Sequence, residues 1–424
     1  MSTPGIFKQC GCRDQATGRR LGTRCWRLGE RGHGTWSFRC RVRDLWGKSV
    51  QVRRGGFPTQ VAAKRARDEV LAASCEQLAG QTWTVARWLR SWLSTRTSIR
   101  PTTLRSYTQH VETFLIPQLG DLRLAEVTSR HLTAMFADLA AGTTRTGQPR
   151  SASTLQRVRA TLRAAYNAAI REGMLDDNPA RRVEMPPTRR PHAVAWTEAR
   201  VEQWHDDATR PAVAVWTPTQ LAEFLESIED DPLYALWWLI SLRGLRRGEA
   251  AGLRWEHLDL DRRALSVVAQ RTTVGYQVVE GPPKSRASQR TVALDQRTVR
   301  SLRAHQRAQR QAFLAAGRVW RESGYVFVRP DGRTYHPNYF THRLQRLIRT
   351  AGLPPVRLHD LRHGAASLAQ AAGADIKDIQ ETLGHSSSTI TSDTYTSVIL
   401  ELETESAKAD AAVNLIPRTQ PKAS

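Results

Sequence analysis

The chain has 424 residues, 40% of them apolar, with 63 Lys and Arg against 40 Asp and Glu, for a formal net charge of +23. That length and apolar content exclude a disordered polypeptide and leave room for two or three domains with their own cores. A pI near 10.9 exceeds what solubility requires and points to a polyanionic partner, the competing explanation being heavy arginine usage in a GC-rich genome.

The strongly apolar run at 235–240 falls far short of the ~20 residues of a membrane span, and residues 1–8 carry no apolar core of an export signal. Five cysteines, odd in number and sparse, suit a reducing cytoplasm. No membrane association is expected.

Residues 1–80 hold 16 Lys and Arg against 6 Asp and Glu. Trp36, Phe38, Cys40 and Val42 alternate with Ser37, Arg39, Arg41 and Arg43, a period-two strand with one apolar face and one arginine face. Asp44-Leu45-Trp46-Gly47 turns the chain, and Val50 and Val52 continue the alternation on a second strand. Thr59 then opens a helix to about Ser74, so the region reads as a small sheet with one helix laid on it. Residues 81–180 carry four apolar stripes at helical spacing: Val85 to Leu93, Leu104 to Phe114, Leu132 to Leu139 and Leu155 to Ala169. Their aromatic residues read as core.

Residues 181–215, with Pro186, Pro187, Pro191 and Pro211, read as a linker or insertion. They contain an echo, since Ala193-Val194-Ala195-Trp196-Thr197 resembles Val213-Ala214-Val215-Trp216-Thr217. Residues 216–402 form the third unit. Thr217 caps a helix with Pro218 at its first position. Strands are expected at 264–269, 273–279 and 290–294, and helices at 295–315, 338–351, 358–371 and 375–383. Residues 403–424 form a tail. The fold class is α+β, mostly helical.

Four segments of the third unit carry chemistry. They are Gly244-Leu245-Arg246-Arg247-Gly248-Glu249, Pro283-Lys284-Ser285, Leu358-His359-Asp360-Leu361-Arg362-His363, and Leu383-Gly384-His385 with Tyr395 ten residues on. Breaking a phosphodiester without a metal needs a nucleophile, cations for the non-bridging oxygens and a proton for the leaving oxygen. Arginine's planar fork binds two phosphate oxygens at once, histidine or lysine moves the proton, and tyrosine can attack. His359 and Arg362 stand three apart on a predicted helix and so share a face. Any one of these residues alone would read as solvated or structural; the set, in this order and spacing, does not.

Taken together, these segments resemble the tyrosine recombinase, or phage integrase, family over roughly residues 82–402. The family's catalytic arginine after Gly-Leu is matched by Arg246, its hairpin lysine by Lys284, its His-x-x-Arg by His359 and Arg362, its Leu-Gly-His by His385, and its nucleophile by Tyr395. The resemblance implies a basic N-terminal arm-DNA-binding domain (1–80), a helical core-binding domain (81–180) and a mixed α/β catalytic domain (216–402). It implies cleavage through a 3′-phosphotyrosine with no cofactor, metal or ATP. The arginines stabilise the transition state, Lys284 protonates the leaving oxygen, His359 takes the tyrosine proton and His385 holds a non-bridging oxygen. The implied partners are double-stranded DNA attachment sites, three further copies of the chain in a homotetramer on DNA, and a directionality factor, in a bacterial cytoplasm.

Rival readings are a zinc enzyme using His359, His363 and His385, a regulator without catalysis, and a type IB topoisomerase. The first lacks the general-base glutamate of His-Glu-x-x-His. Arg39, Arg41 and Arg43 are the candidate DNA contacts of the N-terminal sheet, where arginine can read guanine edges. Cys10, Cys12 and Cys25, with His33 or Cys40, are weak zinc candidates. Cys-x-Cys is not the usual two-residue spacing, and Cys40 belongs to the apolar strand face, so no metal is expected.

Overall fold

The computed structural model describes residues 5–43, 49–73, 75–144, 147–188, 191–317 and 320–384. Contacts divide the chain into two compact units, 1–188 and 189–424. The turn expected at 44–47, His385, Tyr395 and the tail lie outside the described residues.

The first unit begins with an antiparallel sheet in the order β2-β1-β3-β4, made of β1 (Ile6–Arg13), β2 (Arg20–Gly22), β3 (Thr35–Arg43) and β4 (Ser49–Phe57). Phe38 of β3 is fully buried and packs with Ile6 and with Ala63 and Val70 of α1 (Gln60–Ala72). The expected alternation is present, with Trp36, Cys40 and Val42 half-buried and Arg39, Arg41 and Arg43 exposed. Thr59 caps α1 by accepting from the Ala62 N–H, which satisfies one orphan donor of the first turn. Val50 departs from its expected inward place and is exposed.

After α2 (Cys75–Thr82) come the four long helical stretches: α3 (Val85–Ser94), α4 (Pro101–His110), α6 (Ser129–Ala141) and α7 (Ala152–Arg171). They close over Trp88, Leu89, Trp92, Leu115, Leu162 and Tyr166. Between α4 and α5 (Ile116–Leu119), residues Val111–Leu115 widen into a π turn. Pro117 follows at once and has no N–H to return to the preceding turn, the ordinary cause of such an irregularity.

In the second unit, the stretch expected to be a linker or insertion carries regular structure. The strands β5 (Val194–Ala195) and β6 (Ala214–Val215) pair in parallel, Val194 opposite Ala214 and Ala195 opposite Val215. Each is followed by a tryptophan, a threonine at an N-cap position and a helix, α8 (Glu198–Asp207) and α9 (Pro218–Ser227). Trp196 donates to the Pro355 carbonyl at 3.2 Å and Trp216 to the Pro354 carbonyl at 2.8 Å. The sequence echo is thus two copies of one strand–Trp–Thr–helix unit laid side by side, and both tryptophans enter the main core.

The centre of that core is α10 (Tyr234–Arg243), buried from Ala235 to Ser241. It packs against α12 (Gln296–Ala316) and α14 (Asp360–Ala371). Around it lie α11 (Arg247–Ala251), β7 (Leu258–Asp259), β8 (Ala264–Val267), β9 (Gln270–Val274), β10 (Gln277–Gly281), β11 (Arg290–Ala293), α13 (Pro337–Thr350) and α15 (Ile376–Leu383). The strands form a three-stranded sheet, β11-β8-β7, and a separate hairpin of β9 and β10. The single strand expected at 273–279 is that hairpin. Gly275 takes φ +67° and Tyr276 is fully exposed at the tip, so a turn sits inside a run of strand-forming residues. Among the described residues, no helix is long and apolar enough to cross a membrane.

Candidate active site and nucleic-acid interface

The Gly-Leu-Arg segment follows from how α10 ends. Gly244 is its left-handed cap at φ +63°, a conformation that favours glycine. A Cβ there would also stand 2.4 Å from Leu383 Cδ2. Leu245 then drops into the core, and Arg246 sits at the N-cap of α11.

Arg246 and Arg362 converge on one stretch of backbone. Arg246 Nη2 donates to the Gly384 carbonyl at 2.9 Å, and Arg362 Nη2 donates to the Leu383 carbonyl at 2.5 Å. Arg362 Nη1 donates to the Gly244 carbonyl at 2.6 Å. The two arginines therefore grip consecutive carbonyls at the end of α15, directly ahead of position 385. Gly384, at φ +67°, makes the turn possible, and a Cβ there would meet the Ala287 carbonyl at 2.9 Å. The Arg246 side chain is 31% exposed, whereas Arg362 is 1% exposed.

Two residues with no catalytic assignment from sequence complete this frame. Glu249 accepts from Arg246 Nη1 at 2.7 Å and from the Arg246 backbone N–H at 2.9 Å. It also accepts both Nη groups of Arg290, at 3.1 and 3.0 Å. Burial opposes the charged carboxylate, but Arg290 and Arg246 outweigh it and hold the group below its ordinary pKa. Arg290 Nε in turn donates to the Thr382 carbonyl at 2.5 Å. Three arginines thus address the last carbonyls of α15, 382 to 384, and one buried carboxylate ties two of them together.

His359 stands at the N-cap of α14 with an exposed edge. Its pKa is lowered, chiefly by desolvation and then by Arg362, with Arg246 also contributing. It is therefore neutral near pH 7 and able to take a proton. His363, one turn on, has its ring centroid 5.1 Å away in an edge-on arrangement. Burial and then His359 push its pKa down to about 4. Asp360 is buried and accepts from Arg357 Nε and Nη2 at 2.8 and 2.7 Å, an orienting pair beside the site.

Lys284 lies where expected, exposed on the connection between β10 and β11. The same loop is tied to the site by Ser288, whose hydroxyl donates to the Gly384 carbonyl at 3.5 Å and contacts the Ser285 hydroxyl at 3.0 Å. Arg246, His359 and Arg362 are thus brought together, and the loop bearing Lys284 abuts them.

In the first unit, Arg39 lies directly opposite Arg53 across the β3–β4 ladder. Like charges facing each other across a sheet repel, and an anion lying on that face would remove the cost. The sequence does not single out Arg53, because the alternation carried by Val50 and Val52 lapses at Arg53-Arg54-Gly55-Gly56. Cys10, Cys12, Cys25 and His33 come together, each with its ligand atom within 4.8 Å of the others; Cys40 instead packs with the small core.

The chain is similar to known proteins over most of its length. Residues 216–400 match the phage integrase family, and residues 85–173 match the phage integrase N-terminal SAM-like domain. A XerC-like tyrosine recombinase of Caldanaerobacter subterraneus subsp. tengcongensis is 27% identical over 342 residues, 77% of this chain and 82% of that one. The integrase of Streptomyces ambofaciens is 26% identical over 361 residues, covering 83% and 86%. Among solved structures, the Tn1549 transposon integrase in complex with transposon right end DNA superposes with a TM-score of 0.56 at 19% identity, over 78% of this chain and 98% of that one. A lambda integrase tetramer bound to a Holliday junction gives 0.50 at 17% identity, over 83% and 90%. The chain belongs to the phage integrase, or tyrosine recombinase, family: it is an enzyme that cuts and rejoins DNA strands through a phosphotyrosine intermediate.

Proposed function

We propose that Arg246, Lys284, His359, Arg362, His385 and Tyr395 form the catalytic centre, and that the enzyme integrates and excises a phage or other mobile element at DNA attachment sites. The observation that carries this is the convergence of Arg246 and Arg362 on the Gly384 and Leu383 carbonyls, which sets two guanidinium groups beside the segment leading to His385.

In the proposed step, the Tyr395 hydroxyl oxygen attacks phosphorus and its proton passes to His359. The bond from phosphorus to the 5′ oxygen breaks, and that oxygen takes a proton from Lys284. Arg246, Arg362 and His385 hold the non-bridging oxygens as charge builds on them. Ester energy is retained in the phosphotyrosine, so the 5′-hydroxyl of a partner strand reverses the step without ATP. Glu249 and Arg290 position Arg246. The N-terminal module (1–80) binds arm sites through Arg39, Arg41 and Arg43, the helical domain (81–180) binds the core, and four copies assemble on DNA with a directionality factor setting the outcome.

The test is strand exchange between two labelled duplexes carrying attachment sites, without nucleotide. Wild type should exchange strands. Tyr395→Phe should bind both duplexes and exchange neither; exchange by that variant would remove the proposal.

A further inference from the structure

The segment between β1 and β3 packs little apolar surface. Residues 14–34 contain one short strand and one 3-10 turn, Trp26–Gly29, whose residues are none of them buried. None of residues 14–34 belongs to the small apolar core, which draws on Ile6, Phe38, α1 and α2. Trp26, its largest side chain, is 82% exposed. A stretch of ~20 residues without a core is uncommon in a compact domain unless something else organises it, and small modules commonly use a metal.

The residues at the base of this segment supply a ligand set. Cys10 and Cys12 are two apart on β1, so both thiols leave the same face of the strand. Cys25 is 5% exposed and immediately precedes the 3-10 turn. His33 lies between Gly32 and Gly34, at φ +83° and +77°, which swing its ring inward. Cys12 Sγ and Cys25 Sγ each stand 3.5 Å from His33 Nε2, and all four ligand atoms lie within 4.8 Å of one another. With sulfur ~2.3 Å and nitrogen ~2.0–2.1 Å from a tetrahedral zinc ion, the sulfur-to-nitrogen edge is about 3.5 Å.

We propose that Cys10, Cys12, Cys25 and His33 bind one zinc ion as a closed Cys3His site that organises the N-terminal module. Three thiols and one imidazole favour zinc over magnesium or calcium, which take oxygen ligands. With four protein ligands no position remains for substrate, so the site is structural. Binding deprotonates three thiols and leaves the imidazole neutral, releasing up to three protons and giving the site a net charge of −1. The ion clamps β1 to the segment that carries Arg19, Arg20, Arg24, Arg27 and Arg31, and so fixes an arginine-rich stretch beside the exposed arginine face of the sheet. The sequence signal is weak because both Cys-x-Cys ligands come from a strand, without the usual two-residue knuckle.

The full-length chain, purified without a metal-affinity step, should contain about one zinc per chain by elemental mass spectrometry. Cys12→Ser and Cys25→Ser should each lose it, whereas Cys40→Ser and Cys75→Ser should keep it. Should the first two variants fail to fold, titrating wild-type thiols with an organomercurial should release the zinc as three thiols react. A cobalt-substituted chain should show tetrahedral thiolate absorption. A wild-type chain free of zinc, a Cys10, Cys12 or Cys25 disulfide in its mass spectrum, or zinc retained by the Cys12 and Cys25 variants would overturn the site.

Discussion

Glu249 holds Arg290 in a two-pronged bond, Nη1 at 3.1 Å and Nη2 at 3.0 Å, with the Glu249 side chain 1% and the Arg290 side chain 6% exposed. Removing one member of a buried pair leaves the other uncompensated, at a cost of about 3–5 kcal/mol. Glu249→Ala should therefore lose about that much in urea unfolding and should also release Arg246, lowering cleavage. Glu249→Gln keeps the shape and should fall between. Unchanged stability in Glu249→Ala would show that the carboxylate does not bind the frame together.

Arg246 and Arg362 should separate by what else they lose. Each should lose about 3–4 kcal/mol of transition-state stabilisation as alanine, two to three decades of cleavage rate. Arg362→Ala also strips donors from the Gly244 and Leu383 carbonyls, and each buried unsatisfied group costs about 1–3 kcal/mol. Arg246 is partly exposed, so Arg246→Ala should unfold nearer to wild type. Denaturation and single-turnover cleavage on the same preparations check this; equal stability of the two variants would contradict it.

The first of these relationships was only half legible in the sequence. The Gly-Leu-Arg, His-x-x-Arg and Leu-Gly motifs could be read because each is local: a left-handed glycine, one helix face, a helix end. The pairing of Glu249 with Arg290 could not, since 41 residues separate them and nothing in either neighbourhood marks it. The hairpin at Gly275 was hidden because Thr273, Val274, Tyr276 and Val278 all favour strand and only one glycine interrupts them. The echo at Trp196 and Trp216 was visible as text, but its meaning lay in a parallel strand pair, which no local pattern encodes.

Stability should fall with acid over a defined window. Burial holds the folded-state pKa of His359 below its ordinary value, and that of His363 down to about 4. The unfolded chain takes up protons on both near pH ~6.5, so keeping the two rings neutral carries no cost above that pH. It becomes costly as pH falls from about 6.5 toward 4. Glu249 adds to the loss lower down, because its depressed pKa makes its contribution disappear as it protonates. His363→Leu should flatten the unfolding-midpoint profile between pH 6.5 and 4; a profile identical to wild type would contradict the assignment.

The arginine face of the N-terminal sheet should act on DNA through charge and register. Arg41→Ala in the full chain should weaken arm-site binding by about 1–3 kcal/mol if it meets a base edge, with random DNA much less affected. If it meets only phosphate, affinity should fall for all sequences and the salt slope should shrink by about one. No change in either would remove Arg41 from the interface.

Metal removal should divide the enzyme's functions. With zinc chelated, the N-terminal module should lose arm-site affinity. Cleavage of a nicked core substrate should continue, because the proposed chemistry uses only side chains. Cleavage abolished by EDTA and restored by a divalent ion would contradict that separation.

The most direct test of the account is the identity of the residue joined to DNA. A nicked attachment-site duplex, which loses its short 5′ fragment on cleavage and cannot religate, should trap the wild-type chain as a covalent adduct. Protease digestion and mass spectrometry should place the 3′-phosphonucleotide on Tyr395, and Tyr395→Phe should bind the same duplex without forming adduct. An adduct on any other residue, or one that still forms in Tyr395→Phe, would contradict the assignment of the nucleophile.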